Sequence, residues 1–232
     1  MQLEEIQALM IDLDGTLIDT MADFEAALNL ALADIDLPKV DKSVVNIAVG
    51  KGSEHLVRTV LQHQLRLPEV QASGLVCDNT TVDTMYEPAF VRYQHHYGRV
   101  NGQHAQVYDG VLQGLQAFRA KGLPLVCLTN KPTAFAKDLL ERKNLQGFFS
   151  HVFGGDAFPR KKPDPLPLLE SCKALGTAPA HTLMLGDSQN DAQAARAAAC
   201  PVVLVTYGYN HGEPIHGVDC DGFIDNFTQL KL

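Results

Sequence analysis

Short apolar runs alternate with longer amphipathic stretches along most of this chain. Each run ends in small or polar residues, and a helical periodicity follows it. This alternation predicts βα units built around a mostly parallel sheet, and therefore an α/β fold. The predicted strands, of which the last is a weak edge strand, are residues 8–11, 123–128, 151–153, 182–185, 202–205 and 222–224.

The segment between the first and second apolar runs has a different character. It contains three amphipathic helical stretches, residues 22–34, 54–65 and 82–97, and no convincing strand. We expect an inserted helical domain that leaves the sheet near residues 17–20 and returns near 99–106. The predicted organisation is a Rossmann-like, doubly wound parallel sheet core, residues 1–18 and 101–232, with a small α-helical cap, residues 19–100.

Composition and charge narrow the classes of partner. The 232 residues are 46% hydrophobic, which is enough for a substantial core, and 27 acidic against 19 basic side chains give a net charge of -8. That balance disfavours nucleic acid as a partner. The acidic start, Met1 to Glu5, is unlike a secretion signal, and no run approaches the roughly 18 apolar residues of a membrane span, so we expect a cytoplasmic protein without a membrane partner.

The strongest chemical signal is a pair of acids, Asp12 and Asp14, directly after the first predicted strand. Ligands of open α/β sheets bind at the carboxyl ends of the strands. Two carboxylates at the end of a buried strand repel each other and lose hydration unless a cation or a hydrogen-bond donor compensates them. We therefore interpret Asp12 and Asp14 as functional residues.

A second acidic pair, Asp187 and Asp191, follows the predicted strand at 182–185. Asp191 lies where the next helix begins, so helix capping by Asp191 or Ser188 is as good an interpretation as metal binding. Asp12, Asp14 and Asp187 offer only oxygen ligands, which favours Mg²⁺ over zinc. Magnesium commonly accompanies phosphate.

Two further segments fit a phosphate site. Thr129 and Asn130 end the strand at 123–128, where a hydroxyl and backbone N–H groups can hold phosphate oxygens, although a simple turn explains them as well. Lys162 precedes Pro163 in a basic loop, and a site with several carboxylates needs a fixed cation to receive a phosphate. We predict that Lys162 supplies it and that the neighbouring Arg160 and Lys161 are surface residues.

These elements in this order, Asp-x-Asp-Gly-Thr, Thr-Asn, Lys-Pro and Gly-Asp-Ser-x-x-Asp, resemble the haloacid dehalogenase superfamily of phosphohydrolases over nearly the whole chain. Residues 129–132, 205–210 and 212–215 resemble its bacterial phosphoglycolate phosphatase branch. The resemblance implies that Asp12 is the nucleophile and forms an aspartyl-phosphate. It implies that Asp14 is the acid and base and binds Mg²⁺ through its carbonyl. The remaining implied roles are metal binding by Asp12, Asp187 and Asp191 and phosphate binding by Thr129, Asn130 and Lys162.

The helical insert resembles the superfamily's small cap, which selects the substrate. Its most suggestive segment is Gly50-Lys51-Gly52-Ser53, where we expect Ser53 to cap a helix and Lys51 with the Gly52 N–H to bind a small carboxylate. A plain glycine turn with an exposed lysine is an equally good interpretation.

The function expected from the resemblance is a Mg²⁺-dependent phosphatase for a small phosphate ester, 2-phosphoglycolate first of all. The alternatives within the same fold are an inorganic pyrophosphatase, a sugar-phosphate phosphatase and a β-phosphoglucomutase-like isomerase. A binding protein without catalysis is disfavoured because every acid of the motifs is present. We expect a small-molecule partner and a monomer or homodimer.

Overall fold

The computed structural model describes residues 5–231, and the chain separates into two compact units. The first, called here the sheet unit, contains the chain up to Asp19 and everything from Gln106 onward; the second, the helical unit, is Thr20–Ala105. The predicted boundaries, 19 and 100, lie just before the observed ones. The later boundary is shifted because the Asp23 carboxylate accepts hydrogen bonds from the N–H groups of Gly102 at 2.6 Å and His104 at 2.8 Å.

Six parallel strands form the main sheet of the part of the chain that the structure describes, with the order β5-β4-β1-β6-β7-β8. All six predicted strands are present, which confirms the α/β fold class. The strands of the sheet unit are β1 (Ala8–Ile11), β2 (Ile18–Asp19), β3 (Gln106–Val107), β4 (Leu125–Leu128), β5 (His151–Phe153), β6 (Thr182–Gly186), β7 (Val202–Val205) and β8 (Gly222–Ile224).

The strand order positions the site. From β1 the chain builds outward through β4 to β5, and then crosses to the other side of β1 to add β6, β7 and β8. The order therefore reverses beside β1, next to β6. In doubly wound sheets a crevice opens at such a reversal, at the carboxyl ends of the strands.

The helical unit contains two helices more than the sequence predicted. The stretches predicted at 22–34, 54–65 and 82–97 correspond to the first, third and fifth helices, whereas the second and fourth, of 7 and 5 residues, are too short to show a clear period. The helices are α1 (Met21–Ala33), α2 (Lys42–Ala48), α3 (Ser53–Gln64), α4 (Pro68–Ala72) and α5 (Asn79–Val100), followed in the sheet unit by α6 (Val111–Ala120), α7 (Thr133–Arg142), α8 (Leu166–Leu175) and α9 (Gln189–Ala197).

A short antiparallel ribbon lies where the chain leaves the sheet unit and where it returns to it. The sequence did not predict this ribbon. β2 and β3 pair antiparallel, with Ile18 opposite Val107 and Asp19 opposite Gln106. Two residues are too few to show an alternating pattern. The ribbon brings the end of the sheet unit's first segment next to the start of its second segment.

The core beneath the crevice is apolar. Met10, Val126, Met184 and Leu204, one from each of the four central strands, are buried together with side chains of α8 and α9. All five cysteines are free thiols, and Cys127, Cys172 and Cys200 are buried. Among the described residues, no helix combines the length and the apolar character that crossing a membrane requires.

Candidate active site

The predicted functional side chains follow the carboxyl ends of three adjacent strands. Asp12 comes directly after β1, Thr129 after β4 and Asp187 after β6. β1 pairs in parallel with both neighbours, so that Ile11 lies opposite Cys127 on one side and Leu185 on the other. Segments distant in sequence therefore meet at one edge of the sheet.

Three carboxylates converge at this edge. Asp12, Asp187 and Asp191 are buried, and each offers an oxygen within 4.8 Å of the other two. Burial raises the pKa of Asp12 to about 7 and raises that of Asp187 well above its ordinary value. Such shifts indicate negative charge that the protein alone compensates incompletely. An all-oxygen, acidic donor set of this kind fits a hard divalent cation such as Mg²⁺.

Asp187 is held on every side. Its Oδ1 accepts a hydrogen bond from the Thr16 hydroxyl at 3.0 Å, and its Oδ2 accepts the Tyr209 backbone N–H at 2.5 Å. Gly15, with a φ of 83°, and Gly208 lie so close that a Cβ on either would overlap Asp187. The glycine of the Asp-Gly-Thr motif is thus required by both its backbone conformation and its contact with Asp187.

Asp191 both caps a helix and belongs to the carboxylate cluster. Its Oδ2 accepts hydrogen bonds from the Ser188 hydroxyl at 2.8 Å, the Ser188 N–H at 3.1 Å and the Asp187 N–H at 3.2 Å. With Ser188 as N-cap these contacts form a capping box at the start of α9. The capping interpretation is therefore confirmed, and a metal contact by Asp191 stays a prediction.

Lys162 is the cation of this cluster. Its Nζ lies 2.6 Å from Asp191 Oδ1 and 3.0 Å from Asp12 Oδ1, and it donates to the Leu128 carbonyl at 2.8 Å. Burial acts to lower the pKa of Lys162, but Asp12 and Asp191 outweigh it and raise that pKa. The ammonium therefore stays charged beside Asp12.

The loop after β4 supports Lys162. The Asn130 side-chain amide donates to the Lys162 carbonyl at 2.8 Å, so this side chain connects the β4 loop to the basic loop. The Thr129 hydroxyl accepts the Lys131 N–H at 3.3 Å. Both residues are buried at the strand edge, and phosphate contacts by Thr129 and Asn130 stay predictions.

The sequence interpretation missed a second buried lysine. Lys131 Nζ lies 2.8 and 3.1 Å from the two carboxylate oxygens of Asp14, and the Lys131 side chain is only 2% exposed. Asp14 does not belong to the cluster of Asp12, Asp187 and Asp191. The lysine in Thr-Asn-Lys-Pro could have been noticed from its place in the motif. No sequence pattern indicates its contact with Asp14, which is distant in sequence.

The segment after β7, to which the sequence assigns no role, contacts Asp187 and the β1 loop. Tyr209 donates its N–H to Asp187, and its hydroxyl donates to the Asp19 carboxylate. Tyr207 donates its hydroxyl to the Thr16 carbonyl at 2.9 Å. These tyrosines connect the loop to the β1 loop and to the ribbon strand β2.

The glycine turn of the helical unit spans residues 50–52. Gly50 and Gly52 have φ values of 100° and 93°, which favour glycine, and Lys51 between them is exposed. α3 begins at Ser53 with Gly52 as its N-cap, so the expectation that Ser53 caps the helix is wrong. A glycine there reaches a backbone angle that serine rarely adopts.

Comparison with known proteins places this geometry in context. A family model described as haloacid dehalogenase-like hydrolase matches residues 6–199. The chain is 40% identical over 227 residues to a phosphoglycolate phosphatase of Thiobacillus denitrificans, covering 98% of this chain and 95% of that protein. It is 39% identical over 216 residues to the phosphoglycolate phosphatase of Escherichia coli K12, and the match covers 91% of this chain and 86% of that protein.

A solved structure is similar as well. The crystal structure of a predicted phosphoglycolate phosphatase from Haemophilus somnus superposes with a TM-score of 0.88 at 30% sequence identity, covering 97% of this chain and 96% of that one. The family resemblance that the motifs indicated is thereby confirmed.

Proposed function

The chain belongs to the haloacid dehalogenase-like hydrolase family, and from that premise we propose that it is a Mg²⁺-dependent phosphatase that hydrolyses 2-phosphoglycolate to glycolate and inorganic phosphate. The observation that carries this proposal is the convergence of Asp12, Asp187 and Asp191 at the strand edge, with Lys162 beside Asp12 and Asp191. Relatives named phosphoglycolate phosphatase support the choice of substrate.

In the first step, a carboxylate oxygen of Asp12 attacks the phosphorus, and the bond between phosphorus and the ester oxygen breaks. Asp14 gives its proton to the departing alkoxide. In the second step, Asp14 takes a proton from a water molecule that attacks the phosphorus, and the bond to Asp12 breaks. The products are an alcohol and inorganic phosphate, and Asp12 is regenerated.

The other side chains bind and compensate charge. Lys162, whose ammonium lies 3.0 Å from Asp12, reduces the repulsion between this carboxylate and the incoming phosphate. Thr129 holds a phosphoryl oxygen through its hydroxyl, and Asn130 contributes by fixing Lys162. Asp12, Asp187 and the Asp14 carbonyl would hold Mg²⁺, with Asp191 beside them. When bound, the ion would stabilise charge that develops on the phosphoryl oxygens.

The substrate's acidic end requires recognition outside the carboxylate cluster. We propose, as the sequence predicts, that Lys51 with the N–H of Gly52 takes part in it from the helical unit. The Lys51 side chain is exposed, and the glycines on either side of it have positive φ. Because a glycine has no side chain, a carboxylate can approach the backbone N–H groups there. The proposed partner is thus a small molecule, and we propose that the protein is a cytoplasmic monomer or homodimer.

The test is phosphate release from 2-phosphoglycolate, pyrophosphate, several sugar phosphates and a nucleotide, each with Mg²⁺ and with a chelator. We expect a Mg²⁺-dependent kcat/KM for 2-phosphoglycolate at least about tenfold above the others, which corresponds to about 1.4 kcal/mol. Phosphate must appear in step with turnover, because a mutase returns the phosphoryl group to a sugar. A preference for pyrophosphate or sugar phosphates would reject the substrate, and no hydrolysis of any ester would reject the phosphatase.

A further inference from the structure

Each of the two aspartates after β1 is paired with its own buried lysine. Asp12 lies beside Lys162, and Asp14 lies beside Lys131, which follows Thr129 and Asn130 at the end of β4. Lys162 has a place in the proposed mechanism. Lys131 has none, although its ammonium is equally removed from solvent.

The Lys131 ammonium is buried, so its charge must be compensated by a neighbouring group. A charged group loses hydration when it is buried, and it persists only where an opposite charge compensates that loss. Lys131 is 2% exposed and its Nζ contacts both oxygens of Asp14, at 2.8 and 3.1 Å. A lysine serving only solubility would extend into water, as the exposed Lys137 of α7 does.

Asp14 connects this lysine to the leaving group. In the proposed function Asp14 protonates the ester oxygen of the substrate, so its carboxyl group must come within hydrogen-bond distance of that oxygen. Lys131 Nζ lies next to the same carboxyl group. The ammonium is therefore within a short distance of whatever is attached to the ester oxygen.

A carboxylate on the substrate's leaving group would lie close to the acidic side chain of Asp14. In 2-phosphoglycolate a single methylene separates the ester oxygen from the carboxylate carbon, so this carboxylate enters the site beside Asp14. Once Asp14 has given its proton to the ester oxygen, its carboxylate and that of the leaving group are two like charges, which repel each other unless a cation lies between or beside them. An ammonium has three N–H donors and can bind two carboxylates.

We propose that Lys131 is a specificity-determining residue whose ammonium binds an anionic group on the carbon next to the ester oxygen of the substrate. The inference rests on the proposed function and names the substrate class, which is phosphate monoesters of 2-hydroxy carboxylates. Lys162 compensates the phosphoryl group, and Lys131 compensates the leaving group.

The experiment compares two esters on one variant. Steady-state kcat/KM is measured for 2-phosphoglycolate and for 2-hydroxyethyl phosphate, in which a neutral alcohol replaces the carboxylate. In Lys131→Met we expect the ratio of the two kcat/KM values to fall at least about tenfold, and in Lys131→Arg we expect part of the ratio to return. Lys137→Met removes an exposed lysine of the same segment, and we expect it to leave the ratio unchanged.

An equal loss of kcat/KM on both esters would overturn the inference, because Lys131 would then act only by positioning Asp14. Circular dichroism and a melting curve establish that Lys131→Met is folded. Should it not fold, a series of phosphate esters of glycolate, glycolamide and ethanolamine is measured on Lys51→Ala, which lacks the other lysine proposed to bind the carboxylate. The inference predicts that kcat/KM falls in that order, and no dependence on the charge would overturn it.

The series also separates this inference from the proposed function. Hydrolysis of all three esters at equal rates contradicts the role of Lys131 and leaves a phosphatase. Absence of hydrolysis for any ester contradicts the phosphatase itself.

Discussion

Lys162 Nζ lies 2.6 Å from Asp191 Oδ1, and the two side chains are 3% and 1% exposed. This buried ion pair connects the basic loop before α8 to the first turn of α9. Asp191 also accepts three hydrogen bonds at the start of α9. One carboxylate therefore fixes the Lys162 ammonium and the helix that follows Asp187.

We expect Asp191→Ala to destabilise the protein strongly. Removing one partner of a buried ion pair costs about 3 kcal/mol, and loss of the capping contacts adds about 1 kcal/mol. The free energy of unfolding, measured with urea, should fall accordingly. Asp219→Ala, which removes an 83% exposed partner of Arg196, is the matched control and should change little. Equal effects of the two substitutions would contradict the structural role of Asp191.

The stabilisation by Mg²⁺ should grow with pH. Burial raises the pKa of Asp12 from 3.8 to about 7. Between these values the folded metal-free protein binds a proton that the unfolded chain has released, so its stability falls as the pH rises through this window. A cation competes with that proton. We expect Mg²⁺ to raise the Tm more at pH 8 than at pH 5.

Asp12→Asn supplies the control for this pH dependence. Without metal, the variant should lose part of the decline in Tm between pH 4 and 7, because the titrating carboxyl group is gone. A Mg²⁺ effect on the wild-type Tm that is the same at pH 5 and pH 8 would show that protonation of the carboxylates does not limit metal binding.

Gly208 should be needed for metal affinity. A Cβ at this position would overlap the Asp187 side chain, so Gly208→Ala must displace a predicted ligand. We expect the Kd for Mg²⁺, measured by calorimetry, to rise about tenfold or more. Gly217→Ala is the control, because no heavy atom lies within 4 Å of the added Cβ. An unchanged Kd in Gly208→Ala would mean that Asp187 does not bind the ion.

Lys51 should contribute to binding of the acidic substrate. We expect Lys51→Ala to raise KM for 2-phosphoglycolate more than KM for a neutral phosphate ester, with little effect on kcat. Lys39→Ala is the control, because it removes another exposed lysine of the helical unit. A similar rise of KM for both esters would remove Lys51 from carboxylate recognition and leave the Lys131 proposal untouched.

The sheet and the acidic residues at its edge were predictable because both leave local signals. A buried strand such as β6 is a short apolar run, and acids directly after it lie at its carboxyl end, where ligands of open α/β sheets bind. The ribbon of β2 and β3 and the helices α2 and α4 were not predictable, since a few residues show no period.

The contacts that complete the site could not be predicted from local sequence patterns. Lys131 meets Asp14 across 117 positions of sequence, and Thr16 meets Asp187 across 171. Only the order of the strands brings these segments together. Tyr209 illustrates a further reason, because it contacts Asp187 through its backbone N–H, which every residue except proline carries.

Labelling within a single turnover tests whether Asp12 is the nucleophile. The protein is mixed with 2-phosphoglycolate labelled in the phosphoryl group, quenched in acid within a single turnover, and digested for peptide mapping. We predict a labelled acyl-phosphate on the peptide that contains Asp12, and none in Asp12→Asn, which should also lose phosphate release. Label on a different residue, or undiminished phosphate release by Asp12→Asn, would contradict it.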